Sequence, residues 1–225
     1  MDEEIKSHPV FLALGIPALY ATCFPILAAL ERFHVWERFG VPGLVQSIGV
    51  DPQRVPLAIF AAYTIYVYGG TTYLAVVARA ATLPIRYDNH LPRAQVATLF
   101  RLATNQQEYE AAVGETKGGK EQGFRRIQLA ARIQGMHENC AESFPYVAVA
   151  MFIATLCDVP VQLQTTFIST YVFARLGHSA AYSLDVTDMR STLHILANTA
   201  CLALLGNALM PNVFKSFYTF IGGSA

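Results

Sequence analysis

Two groups of polar side chains stand beside strongly apolar sequence. The first is Arg132, His137, Asn139 and Glu142, in a run that ends Glu142-Ser-Phe-Pro145 and leads into the apolar segment 144–156. The second is Arg175, His178 and Tyr182, followed by Arg190. Such groups are costly next to a hydrocarbon-seeking segment unless they face a protein interior, a cavity or the membrane edge. Arg and His donate hydrogen bonds to carboxylates and Glu accepts from ammonium, so the mixture suits a small charged ligand such as an anionic peptide. The same residues also serve without a ligand. Arg–Glu and Asn contacts tie membrane helices together, His178 suits a satisfied core position, and Arg190 suits a helix start at the headgroups.

Helical periodicity decides which of these side chains share a surface. At about 100° per residue, a helix over 124–156 puts Arg132, Gly135, Asn139 and Glu142 on one face, with Gln128 above them. His137 turns away, toward a neighbour or the flank. Arg175, His178 and Tyr182 recur at i, i+3 and i+7, which is one stripe of the following helix. Two polar stripes on adjacent antiparallel helices define a pocket for a small polar ligand.

Composition sets the class of the carrier. The chain has 225 residues, 53% hydrophobic and 14% charged, against about 25% charged in soluble domains. That balance favours a membrane protein. The formal net charge is zero, so no basic field is present to attract nucleic acid. Cys23, Cys140, Cys157 and Cys201 lie far apart in or beside apolar segments, which suits small hydrophobes rather than a disulfide framework or a metal site.

The expected fold is all-α, with several helices long enough to span a bilayer core of ~30 Å. Residues 9–30 carry no formal charge and form the first span, with Pro17 and Pro25 inside it; the acidic opening Met-Asp-Glu-Glu argues against a signal peptide. Residues 31–56 read as a loop near the membrane surface, with Trp36 an interface anchor. A second span starts at Val55 or Leu57 and runs to about Ala81, where Gly69-Gly70 permits close helix approach. In the polar interval 82–123, Asp88–Pro92 is turn chemistry, 95–113 is a short surface helix with Leu99, Leu102 and Ala103 on one side, and 114–123 is a flexible linker. One long helix follows from Phe124 to about Leu156, its first half projecting from the membrane and Pro145 near the junction. Asp158-Val-Pro160 returns the chain into a helix over roughly 161–184, and the last span covers about 191–210. The interval 82–126 carries Arg86, Arg93, Arg101, Lys117, Lys120, Arg125 and Arg126, and the turn at 157–161 carries no basic residue. The positive-inside rule places 82–126 in the cytoplasm, and both polar stripes at that end.

The run Arg132…Asn139-Cys-Ala-Glu142-Ser-Phe-Pro145 resembles the second-helix motif of the MAPEG superfamily. This is the family of microsomal glutathione transferases, prostaglandin E synthase, leukotriene C synthase and the five-lipoxygenase activating protein. Arg175-x-x-His178-x-x-x-Tyr182 is similar to the third-helix motif of the prostaglandin synthase branch, and Arg190-Ser191 to the Arg-Ser that follows it. The resemblance covers roughly 57–210. It implies an integral membrane four-helix bundle over 57–225 with a cytoplasmic insertion at about 82–123. Residues 1–56 are then an additional N-terminal membrane helix and loop.

The resemblance also implies a homotrimer in the endoplasmic reticulum or another microsomal membrane, binding glutathione as co-substrate between subunits at the cytoplasmic side. A hydrophobic, lipid-like co-substrate enters from the membrane. Asn139 and Glu142 would hold the glutathione backbone and amino end; Arg132, His137, Arg175, His178 and Tyr182 would line the site. Arg190, with Ser191 beside it, would stabilise the thiolate, and Tyr182 joins it at the catalytic end. The expected activity is glutathione transfer, or peroxidase chemistry, on hydrophobic electrophiles. Two departures favour a non-catalytic lipid-binding or scaffold protein of the same fold instead. Gly135 and Glu138 stand where the family places basic residues, and the Tyr182–Arg190 spacing is one residue tight for the prostaglandin branch. A transporter unrelated to the family is the distant alternative.

Overall fold

The computed structural model describes residues 16–82, 92–113, 120–213 and 216. Helices in order are α1 (Ile16–Arg32), α2 (Val35–Arg38), α3 (Val41–Ser47), a 3-10 turn (Pro52–Arg54), α4 (Val55–Ile65), a π-helical turn (Tyr66–Thr71) and α5 (Thr72–Thr82). Then come α6 (Pro92–Thr104), α7 (Gln106–Val113), α8 (Lys120–Leu156), α9 (Val161–Ser183) and α10 (Thr187–Leu209). No strand occurs among the described residues. The expected turn over 88–91, the first part of the linker (114–119) and the start of the first span (9–15) lie outside them. Among the described residues α8 and α10 are each long and apolar enough to cross a membrane. The 37 residues of α8 reach ~56 Å, beyond a bilayer core.

The chain forms two compact units. The first comprises 1–63, 145–178 and 188–225, and the second 64–144 and 179–187. In the first, α10 buries a run of small residues, Ala197, Thr199, Ala200, Cys201, Ala203 and Gly206, which suits close helix approach in a medium with no hydrophobic drive between helices. The Cys201 thiol donates to the carbonyl of Tyr146 at 3.6 Å, and Tyr63 meets Tyr171 edge-on at 5.4 Å between centroids. Residues 31–56, expected as loop, are instead two short helices and a turn. His34 (φ 47) and Gly40 (φ 73) take left-handed conformations ahead of α2 and α3, and Pro42 falls in the first turn of α3, where a missing N–H costs nothing. Trp36 is docked on α9, its indole N–H donating to Thr170 Oγ1 at 2.9 Å and its ring stacked on Phe173 at 4.6 Å.

In the second unit the insertion braces the first half of α8. Leu99, Leu102, Ala103 and Tyr109 pack with Ile127, Ala130 and Ala131 in one buried cluster. The expected single helix over 95–113 is divided at Asn105, whose Oδ1 accepts from the N–H groups of Gln107 (3.1 Å) and Glu108 (3.2 Å) and so starts α7. Lys120 to Gly123, expected as linker, open α8.

Candidate functional site

The polar residues of α8 follow from its periodicity, and Arg132, Gln134, His137 and Glu138 find partners within the second unit. Arg132 Nη1 lies 3.1 Å from Asp185 Oδ2, just past the end of α9. One turn on, Gly135 faces Tyr182: a Cβ built at Gly135 would stand 3.0 Å from the phenol oxygen. The absence of a side chain at 135 is what lets the Tyr182 hydroxyl lie against the helix. The face that periodicity assigns to Arg132 and Gly135 therefore meets the C-terminal turn of α9. Asn139 on that face is half-buried, and Glu142 is exposed.

His137 points another way, as its helical angle requires. Its Nδ1 is 3.0 Å from Thr71 Oγ1, whose own proton goes to the Val67 carbonyl at 2.6 Å. The hydroxyl thus accepts, and Nδ1 carries the hydrogen. Buried Arg79 and neighbouring Glu138 act on the ring electrostatically. Glu138 accepts from Gln134 Nε2 at 2.8 Å, and Cys140 Sγ meets Ser179 Oγ at 3.6 Å. The second unit thus brings Arg132 and Tyr182 to one face of α8 and sets His137 on another.

The first unit holds the remaining residues. Arg175 has no exposed surface and His178 is 2% exposed. Arg175 Nη1 donates to His194 Nδ1 at 3.1 Å, which leaves the His194 proton on Nε2. Asn198 Nδ2 lies 2.9 Å from Nε2; with the His194 proton on Nε2, a flipped carboxamide would turn its oxygen there as acceptor. The His178 and His194 rings stand 5.7 Å apart, and His178 lies in the electrostatic reach of Arg175, His194 and Arg190. Arg190 is half-buried in the first turn of α10, next to exposed Ser191.

His194 and Asn198 are the residues that sequence reasoning missed. Their signal was present: Arg190, His194 and Asn198 recur every fourth residue, one stripe of a helix. This arrangement is a buried guanidinium–imidazole group, with half-buried Arg190 as its more accessible cation. A cavity of about 380 Å³ also opens in the first unit where α8 turns into α9, lined by Gln53, Leu57, Thr155, Asp158 and Gln164 among others. It includes none of the candidate site residues named from the sequence. Among the described residues no group of His, Cys, Asp and Glu is arranged to hold a metal ion.

Comparison with known proteins places the described helices from α4 to α10 in one family context. The model of the family described as MAPEG matches residues 55–210. No curated protein matches the chain, and no solved structure does.

Proposed function

The chain belongs to the MAPEG family, and from that premise we propose that it is a membrane-bound glutathione transferase acting on hydrophobic electrophiles, with peroxidase chemistry as the related outcome. The observation that carries this reading is the Tyr182 hydroxyl seated against Gly135, one turn from Arg132 and on the face that leads to Asn139 and Glu142. In the proposed site, as the family resemblance implies, Asn139 and Glu142 hold the peptide backbone and ammonium group of glutathione, and Arg132, His137, Arg175, His178 and Tyr182 are the lining residues. The resemblance assigns Arg190, with Ser191 beside it, and Tyr182 to the thiol end. A cation beside a thiol favours the thiolate, which is the nucleophile. Conjugation then forms a carbon–sulfur bond as the leaving group departs with its electron pair, the thiol proton having gone to solvent. In peroxidase chemistry two glutathione thiols give one disulfide as a hydroperoxide is reduced to alcohol and water.

The site is proposed at the cytoplasmic face of the endoplasmic reticulum or another microsomal membrane, shared between protomers of a homotrimer. The lipid-like co-substrate arrives laterally through the bilayer. A second reading, a non-catalytic lipid-binding or scaffold protein, is favoured by one observation. Glu138, at a position where the family carries a cation, is an acid whose carboxylate accepts from Gln134 Nε2 at 2.8 Å.

The test is turnover of an aryl halide by purified trimeric protein with glutathione, together with equilibrium binding of glutathione. The transferase reading expects both, with Arg190→Ala lowering kcat far more than it weakens binding. Absence of both binding and turnover supports the lipid-binding alternative, and loss of kcat and binding in equal measure removes Arg190 from the thiol end.

A further inference from the structure

The segment between α1 and α4 has an apolar side that the site does not use. No charged residue occurs between Arg38 and Asp51. Within that interval Phe39, Leu44 and Ile48 are 76%, 71% and 77% exposed. A soluble surface seldom leaves such side chains uncovered in one short stretch.

The contacts of the segment say what covers them. His34 Nδ1 meets Gln162 Nε2 at 2.6 Å in the first turn of α9, and Trp36 reaches Thr170 and Phe173 further along the same helix. From residue 162 to residue 170 is ~12 Å of helix axis. The segment is therefore docked alongside α9 and not beyond its end. Beside a helix of a membrane family, that level falls at the edge of the hydrocarbon, not in bulk water. Backbone there must be bonded internally or against protein. Helices α2 and α3, the 3-10 turn and the Trp36 contact meet that condition. The charges collect at the entrance, on Arg32, Glu37 and Arg38, whose stems are long enough to return their heads to the headgroups.

We propose that residues 33–50 form an in-plane element seated at the boundary between headgroups and acyl chains, in the leaflet at the N-terminal end of α9. Phe39, Leu44 and Ile48 contact acyl chains, and Trp36 clamps the element to α9. This depth is that of interfacial helices, whose apolar side enters the acyl boundary while the polar side stays wet. The partner is the lipid itself.

Nitroxide labels on Phe39→Cys, Leu44→Cys and Ile48→Cys test this in lipid nanodiscs, in a Cys157→Ser background that removes the exposed native thiol. Collisions with oxygen should exceed those with a water-soluble nickel chelate, as at a Phe152→Cys control on the apolar half of α8. Nickel accessibility equal to that of an exposed Glu108→Cys control overturns the proposal, since the segment is then a solvated loop. Protection from both reagents overturns it as well, since protein then covers the face. A second measurement needs no substitution, because Trp36 is the one tryptophan of the chain. Its emission should be quenched more by lipids brominated near the headgroup end of the acyl chain than by lipids brominated near the terminal methyl. Quenching by neither contradicts the proposed depth.

Discussion

Replacing Gly135 with alanine adds one methyl group at the point where α8 meets Tyr182, and the structure gives the size of the conflict. The new Cβ would lie 3.0 Å from the Tyr182 oxygen, 3.3 Å from Cε1 and 3.4 Å from Cζ. Carbon contacts are comfortable from ~3.5 Å, so the phenol must retreat by roughly half an ångström. Overpacking of this kind costs ~1–3 kcal/mol. Against it stands the gain of ~1 kcal/mol for alanine over glycine inside a helix. Gly135→Ala should therefore range from neutral to ~2 kcal/mol destabilising. At 2–4 °C per kcal/mol for a chain of this size, that is a fall in Tm of up to about 8 °C.

Tyr182→Phe removes the nearest atom, so in that background the helix gain should dominate and Gly135→Ala should raise Tm. The coupling in this double-mutant cycle is expected at ~1–3 kcal/mol, well above the scatter for independent sites. Thermal unfolding of the four proteins in one detergent gives the result, and glutathione binding should weaken in the single Gly135→Ala variant. An equal rise in Tm in both backgrounds would refute the reasoning, since Tyr182 would then not lie against Gly135.

Other perturbations separate packing from chemistry. Trp36→Phe keeps the ring on Phe173 and loses only the bond to Thr170, so calorimetry should show a loss of ~1 kcal/mol. Trp36→Ala removes the stacked ring as well and should move toward the ~3–5 kcal/mol of large-to-small aromatic truncations. His194→Leu takes an acceptor from fully buried Arg175 and should cost ~1–3 kcal/mol, read as a lower Tm. His194→Gln retains a side-chain acceptor and should cost less; equal losses would show that the Arg175 contact contributes little.

Much of the helix plan was legible because breakers and charge mark the ends. Asp158-Val-Pro160 fixes the return from α8 into α9, and α8, α9 and α10 begin and end within four residues of the expected limits. Leu99, Leu102 and Ala103 were legible as one side of a helix, though not as the brace of α8. The break at Asn105 had its own signal, since Asn105-x-x-Glu108 has the spacing of a capping box. Residues 31–56 misled because Pro42-Gly43 and Asp51-Pro52 suggest a loop. In the structure His34 and Gly40 reset the chain at left-handed turns between short helices. Trp36 was legible as an interface residue from its type, and the structure adds the helix on which its indole docks.

The site was legible in its residue types and less so in its contacts. The angular argument correctly separated His137 from Arg132 and Gly135, and the structure supplies Thr71 as the partner it faces. Gly135 reads in the sequence as a missing cation; only the position of Tyr182 shows that the glycine makes room for a phenol. His194 and Asn198 were hidden by the apolar residues around them in α10, and their role emerges only with Arg175 beside them.

The central claim, that this chain holds glutathione with its sulfur ionised, is tested most directly by ultraviolet difference absorbance of the thiolate. Purified protein in detergent, titrated with glutathione at neutral pH, should show a saturable rise in thiolate absorbance that Arg190→Ala removes while glutathione still binds. Saturable binding with no thiolate signal in the unmodified protein would contradict the claim.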